Sequence, residues 1–382
     1  MTQLGAEPSV FFDRGGRNGG LDRRSAAITL GILALIIYGS LYPFDFHPAA
    51  FAPALSRFWM VVRAHLNRGD VLSNILLYLP LGFFAARIWP ARPVASRVAV
   101  ITAIASMAAV AIELVQIFDD GRSPSIVDAT ANGLGALLGS VAGARLRVKI
   151  SLPMLLLAAW FSSRLIPFFP FIHFHRHGLA IHPLFFSPTL TLFDLFRFFA
   201  LWLAAGALLE GLFGAAWSRI ALVTSIALVL TARVVISSAE LLAAEAIGAG
   251  LAGLVWIGIL SRLRRRAAIT CAIFCGFVVL DALRPFHFLA SPHRFGWIPF
   301  VSFMDGPRES GSRVFLEKTF IYGSLVWLLR RAGFRLAIAV AGAFAAVFCL
   351  RLAQTYLPGR SAEMTDPAMV LILAGLFALL EE

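Results

Sequence analysis

The sequence predicts an all-α polytopic membrane protein, with about twelve transmembrane helices in three related four-helix units. Three observations predict it. Over 382 residues the chain is 59% hydrophobic and only 14% charged, with a mean hydropathy of +0.82. Those values exclude disorder and an ordinary soluble globule. The apolar residues fall in runs of about 20, the length that crosses a bilayer as a helix. The basic residues are mostly arginines in short connections between those runs. The net charge of +12 therefore reads as the positive-inside rule and not as a nucleic-acid footprint.

Taken in order, the expected spans are 25–44, 71–89, 96–118, 125–144, 151–170, 194–213, 218–237, 240–260, 268–288, 314–330, 334–356 and 366–381. No small-residue cleavage site interrupts the first run, so it reads as an uncleaved span. Arg87/Arg92/Arg97, Arg145/Arg147/Lys149, Arg262/Arg264/Arg265/Arg266 and Arg330/Arg331/Arg335 gather in connections on one side. The short connections opposite hold little beyond Arg122 and Arg360. Both termini are then cytoplasmic in a multi-pass inner (cytoplasmic) membrane protein, and the Glu113–Asp128 loop lies outside. The segments 45–70, 171–193 and 289–313 form the extracytoplasmic caps.

An internal repeat runs through these spans. Leu-x-Pro-Phe occurs at Leu41-Pro43-Phe44, Leu165-Pro167-Phe168 and Leu283-Pro285-Phe286, with prolines about 120 residues apart. Asp70, Tyr78 and Gly82 are echoed by Asp194, Trp202 and Gly206, and Gln116, Gly121-Arg122 and Asp128 by Gln354, Gly359-Arg360 and Asp366. This divides the chain into a basic tail (1–24), a unit with the full polar motif (25–150), a degenerate unit (151–262) and a second unit of the first kind (263–382). Arg351 stands where Glu113 stands and Val370 where Asn132 stands, and the middle unit lacks a clear Glu/Gln pair.

The candidate site lies between Glu113 and Gly143. On a helix Glu113 and Gln116 share a face, and Asp128, Asn132, Gly135, Gly139 and Gly143 form one stripe. Carboxylates within spanning helices cost roughly 2.5–3.5 kcal/mol on insertion scales, so they turn toward a protein interior or a wet cavity. A hairpin through 119–124 brings Glu113 and Asp128 together, as a proton carrier or general acid needs. Competing readings stay open: a structural network satisfied by Gln116 and Asn132, and a capping box at Ser125-x-x-Asp128. Arg122, ahead of a helix N-terminus, suits an anionic headgroup, or else neutralises Asp119 or Asp120. Asn74 opens the second span with Asp70 and joins the candidate site. Gly135, Gly139 and Gly143 are steps for close helix packing.

Asp70, Asn74, Glu113-x2-Gln116, Gly121-Arg122, Asp128, Asn132, Gly135 and Gly139, in that order on consecutive spans, resemble the VanZ-like family of membrane proteins. The resemblance covers roughly residues 30–146, with a weaker echo over 280–380. It implies a helical membrane fold and an address in the cell envelope, and it links the chain to glycopeptide (teicoplanin) resistance. It implies no settled reaction, and the tripled length departs from the usual single module. The expected partners are membrane lipids or a lipid-linked envelope precursor, with no nucleic acid. The alternative is a proton-coupled secondary transporter, and a membrane enzyme ranks third, with any catalytic residue unknown. No cofactor and no metal is expected. His173, His175, His177 and His182 lack acidic or cysteine neighbours, and Cys271, Cys275 and Cys349 read as small apolar residues.

Overall fold

The computed structural model describes residues 20–48, 58, 68–119, 124–166, 182, 184, 190–236, 241–304 and 308–381. Among these residues the chain is helical, with two isolated β-bridges, Phe46–Asp119 and Gly296–Glu363. It separates into two compact units, the first essentially the chain through Lys149 and the second the chain from Ile150 onward.

The first unit contains α1 (Arg23–Leu41), α2 (Arg68–Ala85), α3 (Val94–Val115) and α4 (Ile126–Arg145). Asp22 caps α1: its carboxylate accepts from the Arg24 and Ser25 amides at 3.1 and 3.3 Å and from the Ser25 hydroxyl at 2.6 Å. The Asp22 amide donates to Ile88 O at 2.9 Å, which ties the start of α1 to the end of α2. Arg97 donates to the carbonyls of Ala86 (3.0 Å) and Ala144 (3.3 Å), and Arg87 to those of Leu146 and Val148. These guanidiniums satisfy carbonyls that helix ends leave open, where the helix dipole also favours a cation.

Glycines set the packing of α2 on α4. A Cβ at Gly135, Gly139 or Gly143 would fall 2.2, 2.0 or 2.1 Å from the carbonyl oxygens of Ile75, Leu79 and Phe83. One at Gly82 would fall 2.2 Å from Ala136 O. The partners advance together four residues at a time, so the two helices run parallel with their backbones in contact. Around this seam an apolar core gathers Ile36, Tyr78, Leu81, Ala105, Ala109, Ile112 and Ala136. Leu30, Ile104, Met107 and Leu138 are exposed on the outer surface, as lipid-facing side chains would be.

The second unit contains α5 (Leu152–Leu165), α6 (Leu192–Ile236), α7 (Ala243–Gly258), α8 (Arg266–Leu283), α9 (Arg308–Arg331), α10 (Leu336–Gln354) and α11 (Thr365–Glu381). As one rod, the 45 residues of α6 would measure roughly 67 Å, over twice a bilayer core. Gly214, at φ 76° and ψ 169°, breaks it into two helical segments that carry the expected spans 194–213 and 218–237. Trp160 stacks on Phe320 (centroids 4.7 Å apart) and meets Trp202 edge-on at 4.8 Å in the core of this unit.

Among the described residues, six helical stretches are long and apolar enough to cross a membrane: α1, α3 with the turn after it (Val94–Phe118), α6, α7 with the turn after it (Ala243–Arg262), α8 and α10. The other expected spans also fall on helices. Of these, α2 and α5 are apolar but shorter, α11 has 17 residues, and α9 carries Arg313, Glu317 and Lys318 along its length. Pro167 and Phe168 of the middle Leu-x-Pro-Phe lie outside the described residues. The outer two copies form the same turn. Phe44 and Phe286 both sit at φ 64°, and each donates its amide to the preceding leucine carbonyl, Leu41 or Leu283, at 2.8 Å.

Gly139→Leu should separate α2 from α4, because its Cβ meets backbone that cannot rotate away. The expected loss in detergent thermal unfolding is at least the 1–3 kcal/mol of ordinary overpacking. Leu138→Ala, at an exposed neighbour, should change the midpoint little.

Candidate functional site

One end of the first unit collects its polar side chains. Where α3 ends, the chain tightens into a 3₁₀ turn over Gln116–Phe118. Gln116, itself buried, donates from Nε2 to Ser40 O at 2.7 Å and so joins the end of α3 to the end of α1. The His47 amide donates to Phe118 O at 2.8 Å beside the Phe46–Asp119 bridge, which closes the same corner.

Glu113 is buried, and its Oε2 accepts the Ser125 backbone N–H at 2.9 Å. Ser125 is the N-cap of α4, and its hydroxyl accepts from the Val127 amide at 3.2 Å. Ser125 therefore caps the helix through its second amide, and the acid that takes the N-cap amide is Glu113, where the expected capping box has Asp128. The sequence pattern weighs only residues on one helix, whereas the hairpin delivers a carboxylate from the neighbouring one. Glu113 also lies at the positive end of the α4 dipole. Asp128 sits half-buried in the first turn of α4.

Asn74 (9% exposed) and Asn132 (7% exposed) enter the unit interior from α2 and α4. The Asn74 Nδ2 donor and the Asn132 Oδ1 acceptor meet no hydrogen-bond partner, and neither does the hydroxyl of Tyr78, which is fully buried. Tyr78 lies within electrostatic reach of Glu113. Each unmet buried polar group in this layer costs about 1–3 kcal/mol. From the sequence Tyr78 was noted only as a mark of the internal repeat and not as a site residue; its signal is its place one turn after Asn74 on the same face. Gly135, Gly139 and Gly143 bring α2 and α4 together beneath this layer. Arg122, with Asp120 and Gly121, lies outside the described residues, as do His173, His175 and His177. Among the described residues no three His, Cys, Asp or Glu side chains gather as metal ligands would.

The second unit holds buried charges that the sequence reading did not pair. Asp366, at the start of α11 and fully buried, receives a hydrogen bond from the Tyr322 hydroxyl at 2.6 Å and an ion pair from Arg351. Lys318 Nζ lies 2.7 Å from the other carboxylate oxygen, close enough for an ion pair although off the hydrogen-bond direction. Arg351 also bonds Tyr322 and Gln354, and Gln354 donates to Ala282 O at 2.7 Å. Glu245, at the start of α7 and 1% exposed, is held between Arg164 and Arg233. Arg360, which echoes Arg122, donates to the carbonyls of Asp281 (2.7 Å) and Arg284 (2.9 Å) at the end of α8.

Residues 24–147 match the family model described as VanZ/LLP1, which supports a VanZ-like assignment for the first unit. No curated protein and no solved structure matches the chain.

Two substitutions separate the roles of the buried charges. Glu113→Ala should expose the start of α4, with faster hydrogen–deuterium exchange at Ser125–Asp128 and a loss of about 1 kcal/mol, while Glu113→Gln retains most of the protection. Arg351→Met should cost more, roughly 3 kcal/mol in detergent unfolding, because Asp366 stays buried with fewer partners.

Proposed function

We propose that the first unit of this VanZ-like membrane protein binds a polar group of a membrane lipid or lipid-linked envelope component on its extracytoplasmic side. The observation that carries the reading is the set of unpartnered buried groups, Asn74 Nδ2, Asn132 Oδ1 and the Tyr78 hydroxyl. They share an end of the unit with Glu113, Gln116 and Asp128. Polar side chains in a membrane helix bundle are expensive and mark ligand or proton pathways.

The reading also takes the chain as three related four-helix units. Three likenesses support it. Gln116 and Gln354 make the same 2.7 Å bond to a carbonyl three residues before the turn proline, at Ser40 and Ala282. The Phe44 and Phe286 turns have the same φ and the same hydrogen bond. The fourth helix of each unit opens on an acid: Asp128, Glu245 and Asp366.

At the end of the third helix the units differ. Arg233 and Arg351 neutralise the acid in the second and third units, whereas Glu113 holds that position in the first. Lys318 likewise stands on α9 four residues before Tyr322, as Asn74 stands four before Tyr78. The later units thus close the position with ion pairs of their own, and the first keeps neutral amides and a phenol there. In this reading Arg122, a few residues ahead of Asp128, is the contact for an anionic group of the ligand. An inner-membrane location with both termini cytoplasmic follows from the arginine asymmetry. Glycopeptide resistance is the corresponding extension of the family resemblance.

One observation favours a second reading, proton-coupled transport. The Lys318–Asp366–Arg351–Tyr322 cluster is the kind of buried titratable network that proton-driven carriers use. Proton-driven uptake into liposomes that Asp366→Asn abolishes would replace the binding reading.

Native mass spectrometry of the full chain in mild detergent tests the first reading. Wild type should retain a polar lipid that Asn74→Ala/Asn132→Ala loses, with unfolding midpoints kept close. Identical lipid spectra from the two proteins would make the amides structural. A reporter fused after Phe118 that reads as cytoplasmic would place the site on the wrong side.

A further inference from the structure

We infer that α10 and α11 form a separate site for an anionic phospholipid, with an acyl chain in the groove between them and the phosphate on Arg335. This site lies in the second unit and does not rest on the reading of the first.

The groove is shallow, apolar and open along its length, with a volume of about 640 Å³. Leu336, Val340, Ala341 and Phe344 line it from α10, and Leu371 and Ala374 from α11. Small residues open it. Ala337, Ala341 and Ala374 line it and do not fill the space between the helices. From Leu336 to Phe344 the lining runs about 12 Å along α10, which matches the upper part of one acyl chain better than a compact solute. α10 is also among the helices apolar enough to cross a membrane, so its flank is expected to face lipid.

Charge at the mouth selects the headgroup. Arg335 is the N-cap of α10, directly before Leu336, and it is exposed. It has no ion pair or side-chain hydrogen bond with a described residue, in contrast with its neighbours. Arg330 lies 3.9 Å from Glu381 and donates to Phe334 O, and Arg331 stacks on Trp327 at 5.4 Å. Arg335 is therefore the cation available to a phosphate whose chain descends past Leu336, with the exposed Arg331 second. The amides of the first turn of α10 add to the attraction. Basic residues beside a span attract anionic lipid by roughly five-fold each. A zwitterionic lipid fits the groove equally but gains little at its mouth.

The test uses the full-length chain and phosphatidylglycerol and phosphatidylcholine with identical acyl chains. Native mass spectrometry should find phosphatidylglycerol preferred on wild type and the preference reduced roughly five-fold in Arg335→Gln and further in Arg331→Gln/Arg335→Gln. Ala374→Phe, which fills the groove, should weaken both lipids alike. A second measurement needs no variant: phosphatidylglycerol with a photoreactive acyl chain should label 336–344 and 371–374 above other lipid-facing helices. A headgroup preference unchanged by both arginine substitutions, or labelling spread evenly over the apolar helices, would overturn the inference.

Discussion

At Gly139 the backbones of α2 and α4 approach so closely that a methyl carbon would sit 2.0 Å from the Leu79 carbonyl oxygen. The first unit depends on that approach. Lipid tails are as apolar as leucine, so burial of oily surface does little to drive helices together inside a membrane, and close packing has to do it. Four glycines, Gly82, Gly135, Gly139 and Gly143, place α2 against α4 in one register. That register sends Tyr78 and Ala136 into the same core layer and brings Asn74 and Asn132 into the layer above it. A bulkier residue anywhere along the seam would separate the groups that form the candidate site.

The two ends of this unit are satisfied by different chemistry. At one end, Arg87 and Arg97 reach across to the carbonyls that finish α2 and α4. At the other, Glu113 takes the amide that starts α4 and Gln116 takes a carbonyl near the end of α1. Both arrangements answer one constraint: a helix terminus without water must find its partners within the protein. Glu113 is thus a structural acceptor whether or not it meets a ligand. The unmet groups belong to its neutral neighbours, and the binding reading therefore rests on Asn74, Asn132 and Tyr78.

Much of the site was legible because polar residues in apolar runs are costly enough to notice. Glu113, Gln116 and Asn132 stood out for that reason, and all three side chains are buried. The rest was hidden by distance along the chain. Glu245 carries no motif along the chain; folding brings Arg233 and Arg164, the latter some 80 residues earlier, to the same carboxylate. Arg351 looked like the loss of a motif, yet it anchors a cluster of Lys318, Tyr322, Gln354 and Asp366 drawn from three helices. The capping box misled in the same way, since the pattern Ser125-x-x-Asp128 contains no term for a carboxylate arriving from α3.

What the sequence determined by itself was the helical, membrane-type chain and the approximate place of each helix. Hydropathy and periodicity are local properties, and a bilayer-length apolar run has few alternatives to helix. It also determined that the glycine stripe would face a close neighbour. Only the tertiary structure decided that the neighbour is α2 in parallel register, and which acid meets which arginine. Those outcomes depend on backbone contact and on charge pairing between residues far apart in sequence. Such pairings are fixed only when the helices are packed, because the low dielectric of the interior then makes each unpaired charge costly.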